Sequence, residues 1–572
     1  MCRKHQGDHY PTFSRYDYRQ KRFGTYMAST ITHTVTNQTP PISGHNAFRL
    51  NPLLLQIASG LDSETLKDFD QIGSYALSSE AQDLARMANQ NVPELRMHDR
   101  FGHRVDQIDF HPSYHALMRR SVGYGLSSSV WEDAARGHQH GHLKRAIRYF
   151  MLAGLETGHL GGLSSTNGAV AALMTTPQLA KEWVPRVTSR KYDSSHKSPV
   201  EKNCLTISYG IAEKHAGTDL AAVSSRAEMV KNGLYRIIGH KWFLSSPMAD
   251  AFLVLARSEK GVSCFLVPRF LADNEPNNIH LMGLKDKLGN RSVATAEAEF
   301  EGSIAQMVGV EGEGASTINE LLTLTRLDGA LASSGIMHAA LAEAVHHARH
   351  RKAFGKQLIQ QPLMMRVLAD MAIDVAGCTA LSLRLARAFD GARTDEKERA
   401  FAHIMTPVVK YWTGKLATPL IAETLEVLGG NGCVETSVLP RHYRESPHLN
   451  NFEGTGNMMA LELRKTLNRS PDSFEKLLTQ LAQDLGSDGT QTVEVLRAAF
   501  QLAQSDEGTA RIATEQLGLA SAAAELNRLG TGTLADAFIE SRLSGVAHSS
   551  YGTLDNRFDA STILDALYPP IN

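Results

Sequence analysis

Between Cys204 and Phe270 the chain runs through CLTISYGIAE (204–213), AVSSRAEMV (222–230), LYRIIGHKWFL (234–244), AFLVLAR (251–257) and VSCFLVPRF (262–270). These are short runs rich in β-branched and aromatic residues, the signature of strands. Lys231-Asn232-Gly233 and Lys260-Gly261 supply the turns between them. A β domain is therefore expected over about 200–305.

On both sides of it the apolar period changes to that of helices. Upstream, SETLKDFDQIGSYALSSEAQDLARMANQ carries apolar residues at three-to-four spacing behind Ser63, a candidate N-cap. HPSYHALMRR predicts a shorter helix after Pro112. The stretch from Leu50 to Lys191 is expected to be mostly helical. Downstream, Met364, Val367, Leu368, Met371 and Val375 fall on one helical face, and Pro362 suits its first turn. The fold class is mainly α with a central β domain (α+β). The expected division is a flexible leader at 1–32, helical 33–199, β 200–305, helical bundle 306–469 and an extra helical segment 470–572.

The 572 residues are 42% apolar and 21% charged with net charge −1, so no global field draws the chain to nucleic acid or an anionic membrane. No apolar run approaches 20 residues, the length that spans a bilayer. The five cysteines are scattered and form no CxxC pair, which fits a reducing compartment; a cytoplasmic location is expected. Charge is uneven: residues 1–32 carry net +4 and the tail from Pro471 net −8. The basic, aromatic leader reads as flexible or as an over-called start before Met27, with a mitochondrial presequence as the alternative.

Several motifs have bland readings. HQHGH (138–142) suits neither one helical face nor a closed zinc framework, and no metal is expected there. GVEGEG and GGNG are glycine-rich without a βαβ context. GHKWFLSS is either a half-buried strand with Trp242 and Phe243 on opposite faces, or an aromatic wall followed by a hydroxyl donor, Ser245. In HLNNFEGTGNMMALELRK (448–465), Glu453 is either a carboxylate resting near a helix N-terminus or a base.

Together, AEKHAGTDL, GHKWFLSS, RHRKAFGKQLIQQPLMMRVLADM, LEVLGGNGCVETSVLPRHYRE and NFEGTGN resemble the acyl-CoA dehydrogenase family, and within it the AidB-like branch of alkylation-damage flavoproteins. That branch is also matched by HTVTNQTPP, LKDKLGNRS and GVEGEGA, and the resemblance runs from about His33 to the closing helices. It implies an N-terminal helical domain, a middle β-barrel, a C-terminal four-helix bundle and an added C-terminal helical domain, in a homotetramer that binds FAD between barrel and bundle. It implies that Tyr209, Ala212 and Thr218 lie on the loop along the flavin, Phe243 over the ring and Ser245 toward N5. Arg351 and Phe354 would reach a neighbour's FAD, Gly430 would lie near the adenosine end, and Phe452, Thr455 and Asn457 would line the cofactor. Glu453 would remove the α proton of an acyl-CoA-like substrate while a β hydride passes to N5. The position of an alternative family base is Thr325 here, followed by Arg326.

Two departures stand out. Ala212 replaces a threonine near the ring, and Lys214 replaces the usual proline, as in the AidB-like branch. That branch also raises DNA binding as an alternative function. The acidic tail opposes it, while Arg441, Arg444, Arg464, Lys465 and Arg469 form a basic neighbourhood.

Overall fold

The structure is a computed structural model, and it describes residues 33–231, 233–543 and 550–570. The leader at 1–32 and Asn232 of the first expected turn lie outside the described residues. The chain divides into two units. The first is described over 33–38 and holds no helix or strand there.

The second unit, from Thr39 onward, opens with α1 (Pro52–Ala58), α2 (Ser63–Ala76) and α3 (Ser79–Gln90). The cap of α2 is Asp62 rather than Ser63: its carboxylate accepts both the N–H and the hydroxyl of Thr65, at 2.8 and 2.7 Å. The next element departs from the helical expectation. Strands β1 (Glu94–His98) and β2 (Arg104–Asp109) form an antiparallel hairpin. Its turn is held by Asp99, whose carboxylate accepts the Phe101 and His103 N–H groups. β1 is exposed along most of its length and so shows no alternating apolar signal. Helices α4 (Pro112–Gly123), α5 (Ser129–Arg136), α6 (Gly141–Leu155), α7 (Gly158–Met174) and α8 (Pro177–Val187) follow.

The β region contains β3 (Ile207–Gly210), β4 (Arg226–Lys231), β5 (Leu234–Ser245), β6 (Ala251–Ser258), β7 (Gly261–Pro268), β8 (Ile279–Leu284) and β9 (Thr295–Val308). Pairings β6–β4, β4–β5, β5–β9, β9–β7 and β7–β6 close into a ring, with β3 parallel to β6 and β8 on β9. Phe252 and Val254 of β6, Ile237 of β5, Phe265 of β7 and Phe300 of β9 fill its interior. The opposite face of β6, Ala251, Leu253 and Leu255, packs with residues of α7, α8 and α9. β6 is thus buried on both faces, which is why it reads as a continuous apolar run.

The long helices are α9 (Gly314–His350), α10 (Pro362–Gly391) and α11 (Glu396–Val427), followed by α12 (Leu439–Asn451) and α13 (Gly456–Arg469). Arg145 of α6 grips Asp328 of α9 with two bonds, 2.6 and 2.8 Å, inside the core. Helices α14 (Pro471–Leu485), α15 (Gly489–Ser505), α16 (Ala510–Arg528), α17 (Thr533–Arg542) and α18 (Ala560–Leu567) close the chain. They share one apolar core with the bundle. Arg542 ties α17 to Asp370 and Asp374 of α10 at 2.7 and 2.8 Å. Among the described residues, no helix is long and apolar enough to cross a membrane.

Candidate active site

Glu453 occupies the turn between α12 and α13, with φ +58°, followed by Gly454 at φ +115°. A non-glycine residue held in the left-handed region costs on the order of 1–3 kcal/mol and persists where its surroundings over-determine it. Here those surroundings are two cations on two long helices. Arg326 of α9 donates from Nε to the Glu453 carbonyl at 3.2 Å and pairs through Nη1 with Glu462 at 2.7 Å. Lys410 of α11 donates to the Asn450 carbonyl at 2.7 Å and to the Gly454 carbonyl. Since α12 ends at Asn451, Lys410 also meets the negative end of that helix.

The Glu453 side chain is half-buried, and Tyr209 of β3 donates its hydroxyl to Oε1. Burial raises the carboxyl from an ordinary 4.5 to about 8, the effect expected when a carboxylate loses water without gaining a countercharge. Burial likewise lowers the Lys410 ammonium to about 7, with the charges of Arg326 and Lys415 acting in the same direction. Thr325, at the alternative base position, is buried and donates its hydroxyl to the Leu322 carbonyl at 2.9 Å. A hydroxyl so engaged is no base at neutral pH.

The loop after β3 is anchored by a second carboxylate. Glu213 is buried and accepts from Lys241 at 2.7 Å, from the Ser225 hydroxyl at 2.6 Å and from the Ser224 hydroxyl at 2.7 Å. The Ser224 and Ser225 N–H groups add two more bonds. These donors and the Lys241 charge outweigh desolvation and hold its carboxyl far below the usual range. The Ala212 carbonyl accepts from Trp242 N at 2.8 Å, tying the loop to β5. Thr218 is exposed on this loop.

The two aromatics of β5 do not take opposite faces of a regular strand. Lys241 pairs with Ala298 and Leu244 with Ala296, so β5 gains one residue on β9 and bulges at Trp242 and Phe243. Phe243 is consequently 49% exposed. Lys285 caps the face of Trp242 at 3.1 Å from the ring centroid, with Lys214 at 5.2 Å. Ser245 closes β5, its carbonyl accepting from Ser208 at 2.5 Å. Thr455 is the N-cap of α13 with no side-chain cap bond, and both it and Asn457 are exposed. Phe452 stacks on His448, 6.0 Å between centroids.

Comparison with known proteins now decides the family. Residues 37–194 match the adaptive response protein AidB N-terminal domain, 208–303 the acyl-CoA dehydrogenase middle domain and 312–467 its C-terminal domain. AidB of Escherichia coli is 39% identical over 514 residues, which cover 89% of this chain and 94% of that protein. The chain belongs to the acyl-CoA dehydrogenase family. It is an acyl-CoA dehydrogenase-like enzyme of the AidB branch. Acyl-CoA dehydrogenase family member 11 of Caenorhabditis elegans is 29% identical over 80% of this chain and 76% of its own length. The fold is shared with C. elegans ACDH-11 solved in complex with C11-CoA: TM-score 0.79, 24% identity, coverage 94% of this chain and 93% of that one. It is shared too with a Bacillus anthracis acyl-CoA dehydrogenase complexed with FAD: TM-score 0.67, 17% identity, coverage 88% and 85%.

The remaining family-matched positions lie elsewhere in the chain. Arg351 caps the C-terminus of α9, and Phe354 sits beyond it in a tight turn at φ +50°, 98% exposed. Arg326, which touches Glu453, lies in the N-terminal half of the same helix, and a 1.5 Å rise per residue separates Arg326 from Arg351 by about 37 Å. Gly430, in the 3-10 turn Gly429–Cys433 after α11, is exposed. Lys410 went unremarked in the sequence, although the signal was there: it is one buried charge in the apolar run TPVVKYWTG.

Proposed function

We propose that this enzyme dehydrogenates an acyl-CoA-like substrate, with Glu453 as the base that removes the α proton and FAD as its cofactor. The observation that carries the reading is the half-buried Glu453, held in a left-handed backbone conformation with Tyr209 on its carboxylate, and raised by burial to about 8. A base near the working pH combines sufficient ionisation with driving force for proton transfer. FAD, when bound, supplies the acceptor for the β hydride.

The residues present suit such a group. Phe243 presents a ring the core does not use, and the bulge that exposes it precedes Ser245 at the strand's end. The exposed start of α13 at Thr455 and Asn457 offers helix N-terminal donors to electron-rich groups. The loop through Ala212 and Thr218 is fixed from behind by Glu213 and leaves Thr218 at the surface. Tyr209 orients the Glu453 carboxylate, while Arg326 and Lys410 fix its backbone.

Arg351 and Phe354 are too far along α9 to share a cofactor with Glu453 of the same chain, so they serve a second copy. This favours an assembly of at least two copies in which each FAD is completed by a neighbour, as in the homotetramer that the resemblance implies. DNA binding, the alternative function, draws little from the basic neighbourhood. Arg441 is buried and donates to the Leu155 carbonyl at 2.6 Å, Arg444 pairs with Glu435, and Arg464 pairs with Glu507 at 3.1 Å. Lys465 and Arg469 alone remain as exposed members of that set.

The test is anaerobic bleaching of the bound flavin by a panel of acyl-CoAs, with a duplex-DNA binding control at low ionic strength. Bleaching by at least one acyl-CoA is expected, without salt-sensitive DNA binding. Purified protein that neither carries nor takes up FAD would overturn the reading.

A further inference from the structure

Lys410 lies in the middle of α11 among Pro407, Val408, Val409, Trp412 and Thr413, all buried. It is itself 2% exposed, and among the described residues no carboxylate pairs with it. A lysine buried without a countercharge works against stability, and an apolar side chain of similar size would cost less there. Its hydrogens go instead to backbone carbonyls at Asn450 and Gly454, on either side of Glu453.

Two glycines and their neighbours explain how α11 comes so near. A Cβ on Gly414, one turn beyond Lys410, would stand 3.3 Å from the Asn450 Cα. A Cβ on Gly456, at the start of α13, would meet the Lys415 side chain at 2.8 Å and the Tyr411 ring at 3.2 Å. The end of α12 and the start of α13 are thus both pressed onto the α11 surface that carries Lys410. Arg326 holds the intervening Glu453 carbonyl from α9 but is also committed to Glu462.

We propose that Lys410 is the positioning residue of the catalytic turn: by bridging the Asn450 and Gly454 carbonyls it holds Glu453 in the left-handed conformation that aims its carboxylate. The proposal rests on Glu453 being the base. The ammonium suits the task because its three donors diverge, so it gathers carbonyls that face different ways. Its two hydrogen bonds go to backbone carbonyls on either side of Glu453, so its proposed effect passes through the backbone of the base.

Lys410→Met in the full-length, FAD-loaded protein tests this with two readouts. Hydrogen–deuterium exchange across residues 450–456 is expected to speed up, in the FAD-loaded and the FAD-free protein alike. The bleaching rate at saturating acyl-CoA is expected to fall about 10- to 100-fold, the scale of an approximately 1 Å misplacement. Flavin content should hold, the acyl-CoA concentration giving half-maximal rate should change little, and melting temperature should be kept or rise. Lys410→Arg should recover part of the rate. If Lys410→Met does not fold, Lys410→Gln, which keeps donors for one carbonyl, replaces it with the same two expectations. Unchanged exchange, or bleaching within about twofold of the parent, overturns the proposal. If no acyl-CoA bleaches the parent protein, the proposed reaction has failed, and the exchange measurement alone decides whether Lys410 holds the turn.

Discussion

Glu213 and Glu453 are carboxylates served by the same stretch of chain, and their surroundings push them in opposite directions. Glu213 lies just beyond β3, fully enclosed, with Lys241 and two serines on its oxygens. Its charge is balanced, and its carboxyl stays ionised far below the usual range. Glu453 accepts from Tyr209 of β3, and among the described residues no cation pairs with its carboxylate; burial lifts it to about 8. The cations beside Glu453 grip its backbone instead. One carboxylate is an anchor and the other is the proposed base, and the difference lies in where the protein places its positive charge.

The largest expected effect breaks the base. Glu453→Gln keeps shape and hydrogen bonding but cannot accept the α proton. The bleaching rate should fall about 10²–10⁴-fold, with flavin absorbance retained; stopped-flow absorbance checks this. Breaking the anchor gives a different signature. Glu213→Gln leaves the Lys241 ammonium buried without its partner and should destabilise the fold by about 3 kcal/mol. Denaturant unfolding measures that loss, and slow bleaching without loss of stability would contradict the anchor role.

The comparison is sharpened at Tyr209. Tyr209→Phe removes a donor to the ionised form of Glu453, so the carboxyl should rise further. The pH midpoint of bleaching should move upward accordingly. Smaller still is Phe354→Ala. An exposed ring contributes nothing within its own chain, so melting of flavin-free protein should shift little. FAD retention should weaken about 2- to 10-fold, the worth of one aromatic contact, if Phe354 completes a neighbour's site; equilibrium dialysis against FAD measures it.

The sequence made the helix–β–helix order visible because apolar period and turn residues change together at Cys204 and again after Val308. It hid the β1–β2 hairpin, because β1 is mostly exposed and one of the two buried positions of β2 is the polar Asp106, and it hid the bulge at Trp242 and Phe243, which depends on register against β9. Asp62 displaced Ser63 as a cap because a carboxylate takes two donors from Thr65. The sequence singled out Glu453 through its motif. Its environment was not, since Tyr209, Arg326 and Lys410 come from three distant elements and only folding brings them to one turn.

Ionisation also leaves a mark on stability. The folded carboxyl of Glu453, near 8, lies above its unfolded value of 4.5. Between those limits the folded state binds the extra proton, so this residue's contribution to stability declines as pH rises from 4.5 toward 8. Catalysis runs the other way, because the base must be ionised. The most direct test is the single-turnover bleaching rate of the FAD-loaded protein against pH from 6 to 10. The account predicts a rise with a midpoint near 8, absent from Glu453→Gln; Lys410, lowered to about 7, titrates in the same window. A rate independent of pH across that range, or the same rise in Glu453→Gln, would contradict it.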